Sequence, residues 1–178
     1  MINVEIKARS SQEQQDAGID WLNGFAMGPD GTTMTFKGID HQIDTYFNVP
    51  SGRLKLREGN IENCLIQYDR PNQSGPKVSK YNLIYVREGD IKDALTKALG
   101  ILAVVDKTRR IYYLDNIKIH FDEVVGLGRF IEIEARDELE NIGQSRLTEQ
   151  TSQLMAVFNI GYSDLVTDSY SDMALRRV

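Results

Sequence analysis

The sequence predicts an α+β fold: a mostly antiparallel sheet of about eight strands with three or four helices packed outside it. Two observations predict the sheet. Apolar and polar residues alternate in eight separate segments, the period of a strand with one buried face. Helical patterns are few, and most strand segments follow one another directly. A third observation concerns charge. On several strands the polar face carries residues of a single sign, as though the sheet were arranged around something charged.

The elements follow in order. Residues 2–9 alternate cleanly, with Val4, Ile6 and Ala8 on one side and Asn3, Glu5, Lys7 and Arg9 on the other. Residues 11–23 are expected to be helical, with Ser10 or Ser11 as the N-cap. Gly-Pro-Asp-Gly punctuates a loop between Gly24 and Gly38. Strands are expected at 40–48, 53–58, 63–69 and 80–86, with a loop at 71–78. Asp90 opens a helix that Gly100 closes. Strands at 102–113, 116–124 and 129–136 complete the sheet, and helices follow at about 138–159 and 163–175. No repeat, low-complexity tract or linker divides the sequence, so a single domain over 1–178 is expected.

Bulk properties exclude several classes. The 178 residues are 41% hydrophobic and 26% charged, ordinary for a globular protein with a sizeable core. No apolar run approaches the ~20 residues that span a bilayer, and no basic-then-apolar signal segment is present. A net charge of −5 argues against broad nucleic-acid binding. One cysteine, Cys64, permits no internal disulfide and fits a reducing, cytoplasmic location. Cys64 sits in an apolar strand pattern, as a buried inert thiol does.

The charged rows carry the functional reading. Arg53, Lys55 and Arg57 share a face; so do Lys107 and Arg109, and so do Lys118, His120 and Asp122. Glu132 and Glu134 share another, and Glu5 lies beside Lys7 in the first strand's polar row. A wet sheet face also places charge this way. Such a face usually mixes signs, because like charges side by side are costly. The basic rows call for a polyanion. The acidic pair, with Glu5, calls for a divalent cation such as Mg²⁺ or Mn²⁺, which takes carboxylate oxygen and often binds with substrate phosphate. In a sheet curled into a barrel these faces converge on one channel, with the apolar faces outward under the helices.

The ordered motifs resemble the CYTH superfamily, or triphosphate tunnel metalloenzymes, whose members include class IV adenylyl cyclases and thiamine triphosphatases. Asn3-Val-Glu5-Ile-Lys7 is similar to the Glu-x-Glu-x-Lys signature, with Asn3 in place of its first glutamate. Gln42-Ile-Asp44-Thr-Tyr46-Phe47, Arg53-Leu-Lys55-Leu-Arg57, Lys107-Thr-Arg109-Arg110, His120-Phe-Asp122-Glu-Val and Gly126 through Glu134 follow in the family's order, and the class IV cyclase-like branch is the nearest. The resemblance implies an eight-stranded antiparallel β-barrel, the triphosphate tunnel. It implies that Glu5, Glu132 and Glu134 hold Mg²⁺ or Mn²⁺. Lys7, Arg53, Lys55, Arg57, Lys107 and Arg109 then grip phosphate, with Arg70 as a further candidate. Lys7 and Asp122 take the catalytic positions. Asn3 removes a charge and weakens a second metal site.

The implied partner is a triphosphate-containing small molecule, with no nucleic acid and no membrane; a homodimer is left open. Two reactions follow from the attacking group. Water at the terminal phosphorus gives a triphosphatase acting on tripolyphosphate, thiamine triphosphate or a nucleotide. The ribose 3′-oxygen of ATP at the α-phosphorus gives cyclic AMP and pyrophosphate. Hydrolysis needs fewer special features and is preferred. A non-catalytic polyphosphate-binding module ranks third, since binding phosphate alone needs no Glu132/Glu134 pair. The remaining conspicuous residues read as structural. His120 is ranked below Asp122 as a base, and His41 belongs at the surface. Trp21, Leu22 and Phe25 form a packing edge. Tyr46 and Phe47 face opposite sides, as do Tyr112 and Tyr113. Serines in 163–172 cap a final helix.

Overall fold

In the computed structural model, which describes residues 2–25, 31–69, 77–78, 80–86, 91–138 and 141–177, the alternating segments form one antiparallel sheet. Its strands are β1 (Ile2–Arg9), β2 (Met34–Phe47), β3 (Arg53–Gly59), β4 (Cys64–Asp69), β5 (Lys77–Val78), β6 (Lys80–Tyr85), β7 (Ile101–Leu114), β8 (Ile117–Val124) and β9 (Gly128–Asp137). The spatial order is β5-β1-β9-β8-β7-β2-β3-β4-β6. β5 and β6 are one residue apart in the chain, yet β5 pairs with β1 and β6 with β4. The two ends of the strand order are therefore neighbours in sequence, and the eight longer strands curl towards a barrel. The helices are α1 (Gln12–Asn23), α2 (Ile91–Leu99), α3 (Gln144–Val157) and α4 (Tyr170–Leu175), with a 3-10 turn at Tyr162–Asp164. No helix among the described residues is long and apolar enough to cross a membrane.

Several boundaries differ from expectation for physical reasons. β2 begins at Met34, inside the expected loop, because a bulge between Phe36 and Gly38 breaks the alternation there. Gly38 supplies the positive φ of 139° that this break requires. Lys77–Val78, expected in a loop, pairs with Val4 and Glu5 of β1. Asp90 lies outside the described residues; α2 runs to Leu99 and Gly100 closes it at φ 72°. α3 starts at Gln144, not near 138. The Asp137 carboxylate accepts the backbone N–H groups of Asn141, Ile142 and Gly143, which holds these three residues ahead of the helix. The final helix shortens to α4, capped by Ser169. α1 keeps its expected cap, Ser11, in a reciprocal box with Gln14.

The usual small barrel is inverted. Val4, Ile6 and Ala8 of β1, Ile117, Ile119 and Phe121 of β8, and Ile131, Ile133 and Ala135 of β9 point outward. They pack beneath α1 and α3 through Leu22, Leu147, Leu154, Met155 and the following Phe158. Trp21 joins this layer as a packing edge, 5.4 Å from Phe25 and 6.0 Å from Phe158 between ring centroids. Gly18 of α1 lets the helix approach: a Cβ there would meet the Phe121 ring at 3.0 Å. A second apolar cluster closes one end of the barrel. Tyr46, Val105, Val124, Leu127 and Phe130 gather there against Tyr170 and Met173 of α4. Burial of this kind stabilises by about 25 cal/mol per Å² of apolar surface, which fixes the charged faces inward.

Candidate functional site

With the apolar faces turned outward, strand register decides which polar groups meet inside. Glu5 stands opposite Glu134 and Lys7 opposite Glu132 on β1 and β9. Lys118 stands opposite Glu134 and His120 opposite Glu132 on β8 and β9. Arg109 faces Asp122 across β7 and β8, and Asp44 faces Arg57 across β2 and β3. These rows line a cavity of about 390 Å³, within the range of small-molecule sites. Its described walls carry seven cations (Lys7, Lys55, Arg57, Lys107, Arg109, Lys118 and Arg136) and six carboxylates (Glu5, Asp44, Glu62, Glu132, Glu134 and Glu138).

The charges are organised around carboxylate hubs. Asp44 is fully buried and accepts Arg57 at 2.8 and 2.9 Å, Lys55 at 2.9 Å and Lys107 at 2.7 Å. Burial alone would raise its carboxyl, but Arg57, Lys107 and Lys55 overcome that and hold it well below the usual carboxylate range. Glu132 takes Arg109 at 2.6 Å, Lys7 at 3.3 Å and His120 Nδ1 at 3.4 Å. Against its burial, Arg109 and Lys7 keep it well below the ordinary value. Glu134 accepts Asn3 Nδ2 at 2.7 Å and Arg136 at 2.9 Å. Glu62 bridges Arg57 at 2.8 Å and Lys118 at 2.5 Å. Burial lowers the Lys7 ammonium despite Glu132, and lowers Lys107 despite Asp44. Burial, with Arg109 nearby, pushes the His120 imidazole down to about 4, and its Nε2 is a buried atom without a hydrogen-bond partner.

The structure brings Glu5, Glu132, Glu134, Lys7, Lys55, Arg57, Lys107 and Arg109 to one cavity. It does not bring Arg53, whose guanidinium instead holds Asp172 of α4 at 2.9 Å. Asp122 stands behind the wall: fully buried, it takes Arg109 in a two-point grip at 2.6 and 2.5 Å and accepts the Tyr170 hydroxyl at 2.7 Å. Arg70 lies outside the described residues.

Sequence reading missed Asp44, Glu62, Lys118, Arg136 and Tyr170 as site residues. Asp44 and Lys118 are each visible in a polar strand face. Glu62 and Tyr170 come from a turn and a short helix, which carry no strand period. Tyr170 places its ring 3.7 Å from the Lys7 ammonium, closing the cavity at the α4 end. His41 is exposed and pairs with Asp106 at 2.8 Å. Cys64 is buried in the cavity wall, where burial raises its thiol.

The family model described as the CYTH domain matches residues 1–164. The chain belongs to the CYTH family. One relative, "Putative adenylate cyclase MJ0240" of Methanocaldococcus jannaschii, is 24% identical over 147 residues, covering 78% of this chain and 77% of that protein. Two solved structures share the fold. The PH1012 protein of Pyrococcus horikoshii OT3 aligns with a TM-score of 0.71 at 21% identity, over 96% of this chain and 98% of its own. A "putative adenylate cyclase" of Vibrio parahaemolyticus aligns with a TM-score of 0.71 at 17% identity, over 97% of each chain.

CYTH proteins are in general metal-dependent, and the acidic residues of the cavity offer oxygen ligands to a cation. The donor set suits a hard ion: three carboxylates, with Glu5 and Glu134 directly opposite across adjacent strands. Among the described residues, no three such side chains are grouped as a metal site. Glu132 and Glu134 are turned towards Lys7, Arg109 and Arg136, and sharing an ion requires them to turn from these cations.

The turn between β3 and β4 gives a test of how tightly this CYTH wall is built. A Cβ on Gly59 would lie 2.8 Å from both oxygens of the buried Asp40 carboxylate and 2.9 Å from the Glu62 carbonyl. Gly59→Ala is expected to destabilise the protein by about 1–3 kcal/mol, measured by urea denaturation. An unchanged midpoint would show that the turn yields freely.

Proposed function

We propose that the tunnel binds a triphosphate and that the protein hydrolyses one of its phosphoanhydride bonds with Mg²⁺ or Mn²⁺. The observation that carries this is the convergence of Lys7, Lys55, Arg57, Lys107 and Arg109, from β1, β3 and β7, on one cavity of about 390 Å³. Phosphoryl transfer is mostly positioning and charge neutralisation, and such a wall supplies both. Arg57 and Arg109 suit two-point contact with phosphate oxygens; Lys7, Lys55 and Lys107 act as point charges. Asp122 serves as a positioning residue, since it orients Arg109 from behind the wall. Glu5, Glu132 and Glu134 would hold the cation, which supplies further neutralisation at phosphate oxygen. Water attacks the terminal phosphorus, the bond to the bridging oxygen breaks, and orthophosphate and the shortened chain leave.

A second reading, cyclisation of ATP to cyclic AMP and pyrophosphate, is favoured by two tyrosines. Tyr85, 80% exposed, and Tyr113 both line the cavity, and they offer aromatic faces to a purine. The names of the relatives point the same way.

One assay separates the readings. Purified protein is given tripolyphosphate or ATP with Mg²⁺ or Mn²⁺, and phosphate, pyrophosphate and cyclic AMP are quantified. Phosphate from tripolyphosphate without cyclic AMP is expected, with loss of turnover in EDTA and recovery on adding metal. Cyclic AMP with equal pyrophosphate would establish the cyclase. Turnover that persists in EDTA would overturn the metal assignment.

A further inference from the structure

One carboxylate in the tunnel has no place in that chemistry. Glu62 belongs to no strand; the β3–β4 turn delivers it. The turn is built for the purpose. The fully buried Asp40 carboxylate accepts the backbone N–H groups of Ile61 at 2.9 Å and Glu62 at 3.1 Å. Gln42, also fully buried, donates to Asp40 at 2.7 Å and to the Glu62 carboxylate at 3.2 Å. Asn63 closes the turn, accepting Gly59 N–H at 3.1 Å and donating to its carbonyl at 2.7 Å. Gly59 leaves Asp40 the room it occupies.

The Glu62 carboxylate thus sits where three donors converge: Arg57 Nη1 at 2.8 Å, Lys118 Nζ at 2.5 Å and Gln42 Nε2. The donors come from β3, β8 and β2. Arg57 commits its other two nitrogens to Asp44 and offers Nη1 alone. Lys118 is four residues along β8 from Asp122, about 13 Å by strand rise. Lys118 therefore stands a level apart from Arg109, which holds Asp122, and Arg57 links the two levels through Asp44, which Lys107 also holds. An acidic oxygen pair held by a guanidinium, an ammonium and an amide is what a phosphate group would find there.

We propose that Arg57, Lys118 and Gln42 form a second phosphate subsite, and that Glu62 fills it as a built-in anion until a phosphate of a long enough chain displaces it. The inference rests on the triphosphate reading. It makes Glu62 a selector of chain length. A pyrophosphate seated on Lys7, Lys107 and Arg109 leaves Glu62 in place, whereas a triphosphate reaches Lys118 and competes with Glu62 there. Return of Glu62 after cleavage then favours departure of the shortened product.

The test is calorimetric binding of tripolyphosphate and of pyrophosphate, each with Mg²⁺, to wild type, Glu62→Gln and Lys118→Met. Glu62→Gln is expected to bind tripolyphosphate about tenfold tighter, because the glutamine competes without charge, and pyrophosphate within twofold of wild type. Lys118→Met is expected to weaken tripolyphosphate at least about fivefold and leave pyrophosphate unchanged. Weaker or equal tripolyphosphate binding by Glu62→Gln, where wild type binds it, overturns the subsite and makes Glu62 a strut or a cation ligand. Tripolyphosphate binding that Lys118→Met leaves unchanged overturns it as well. If neither wild type nor Glu62→Gln binds tripolyphosphate, the triphosphate reading falls with it.

Discussion

Asp44→Asn lowers the melting temperature sharply, and tripolyphosphate restores much of the loss. Asp44 is the single carboxylate shared by Lys55, Arg57 and Lys107, and it is fully buried. Asparagine keeps the volume and removes the charge. Two lysines and one arginine are then held together with no anion at their centre. Removing one partner of a buried charge group costs about 3–5 kcal/mol. That is a large part of the roughly 5–15 kcal/mol by which a domain is stable. A bound polyphosphate supplies the missing negative charge, so its stabilising effect is expected to be larger in the variant than in wild type, by mass action on a tighter complex. Thermal melts with and without tripolyphosphate measure both. A loss under about 1 kcal/mol would mean that the three cations do not depend on Asp44.

Glu134→Gln has the opposite profile: turnover falls roughly 100-fold or more, while stability changes little. The Glu134 side chain is 15% exposed, and its partner Arg136 keeps a second carboxylate, Glu138, at 3.9 Å. Glutamine still accepts from Asn3 through its amide oxygen. What it removes is one of two carboxylates facing each other across β1 and β9, the arrangement that suits a divalent cation. Rate assays over a metal titration, paired with denaturation curves, check it. A wild-type rate at saturating Mg²⁺ would sink the assignment of Glu134 to metal.

Much of the fold was legible because alternation is a local signal. β1 matches residue for residue, and β3, β4, β8 and β9 to within one residue at either end. Where the period is interrupted, legibility stops. The bulge at Gly38 hid the first six residues of β2, and the start of α3 was set too early because Asp137 holds the N–H groups of Asn141, Ile142 and Gly143 ahead of the helix. The site divides in the same way. Glu5, Lys7, Lys55, Arg57, Lys107, Arg109, Glu132 and Glu134 are alternate residues on strands, so their common facing could be read. The sorting of charge by strand suggested basic rows waiting for a ligand. In three dimensions a basic row on β3 lies next to Asp44 on β2, and the compensation is across strands, not along them. Arg53 ends its row beyond the cavity because α4, with Asp172, occupies that end. No local pattern in the sequence announces either contact.

The position of Tyr170 bears on the order in which the cavity wall is assembled. Lys7 stands on the first strand; the ring over it and the hydroxyl on Asp122 come from the last helix, and Lys7 also reaches the Asp168 carbonyl across 161 residues of sequence. β1 itself is paired along its whole length with β9. Contacts this distant along the chain form late, because the entropy of closing so long a loop is spent before they return anything. On the ribosome, β1 emerges before β9 and waits with its apolar side uncovered until that partner is made. A nascent chain halted short of β9 has neither Glu132 nor Glu134 beside Lys7, and one halted short of α4 has an open floor. The charged wall is thus complete only after the segment through α4 has been made.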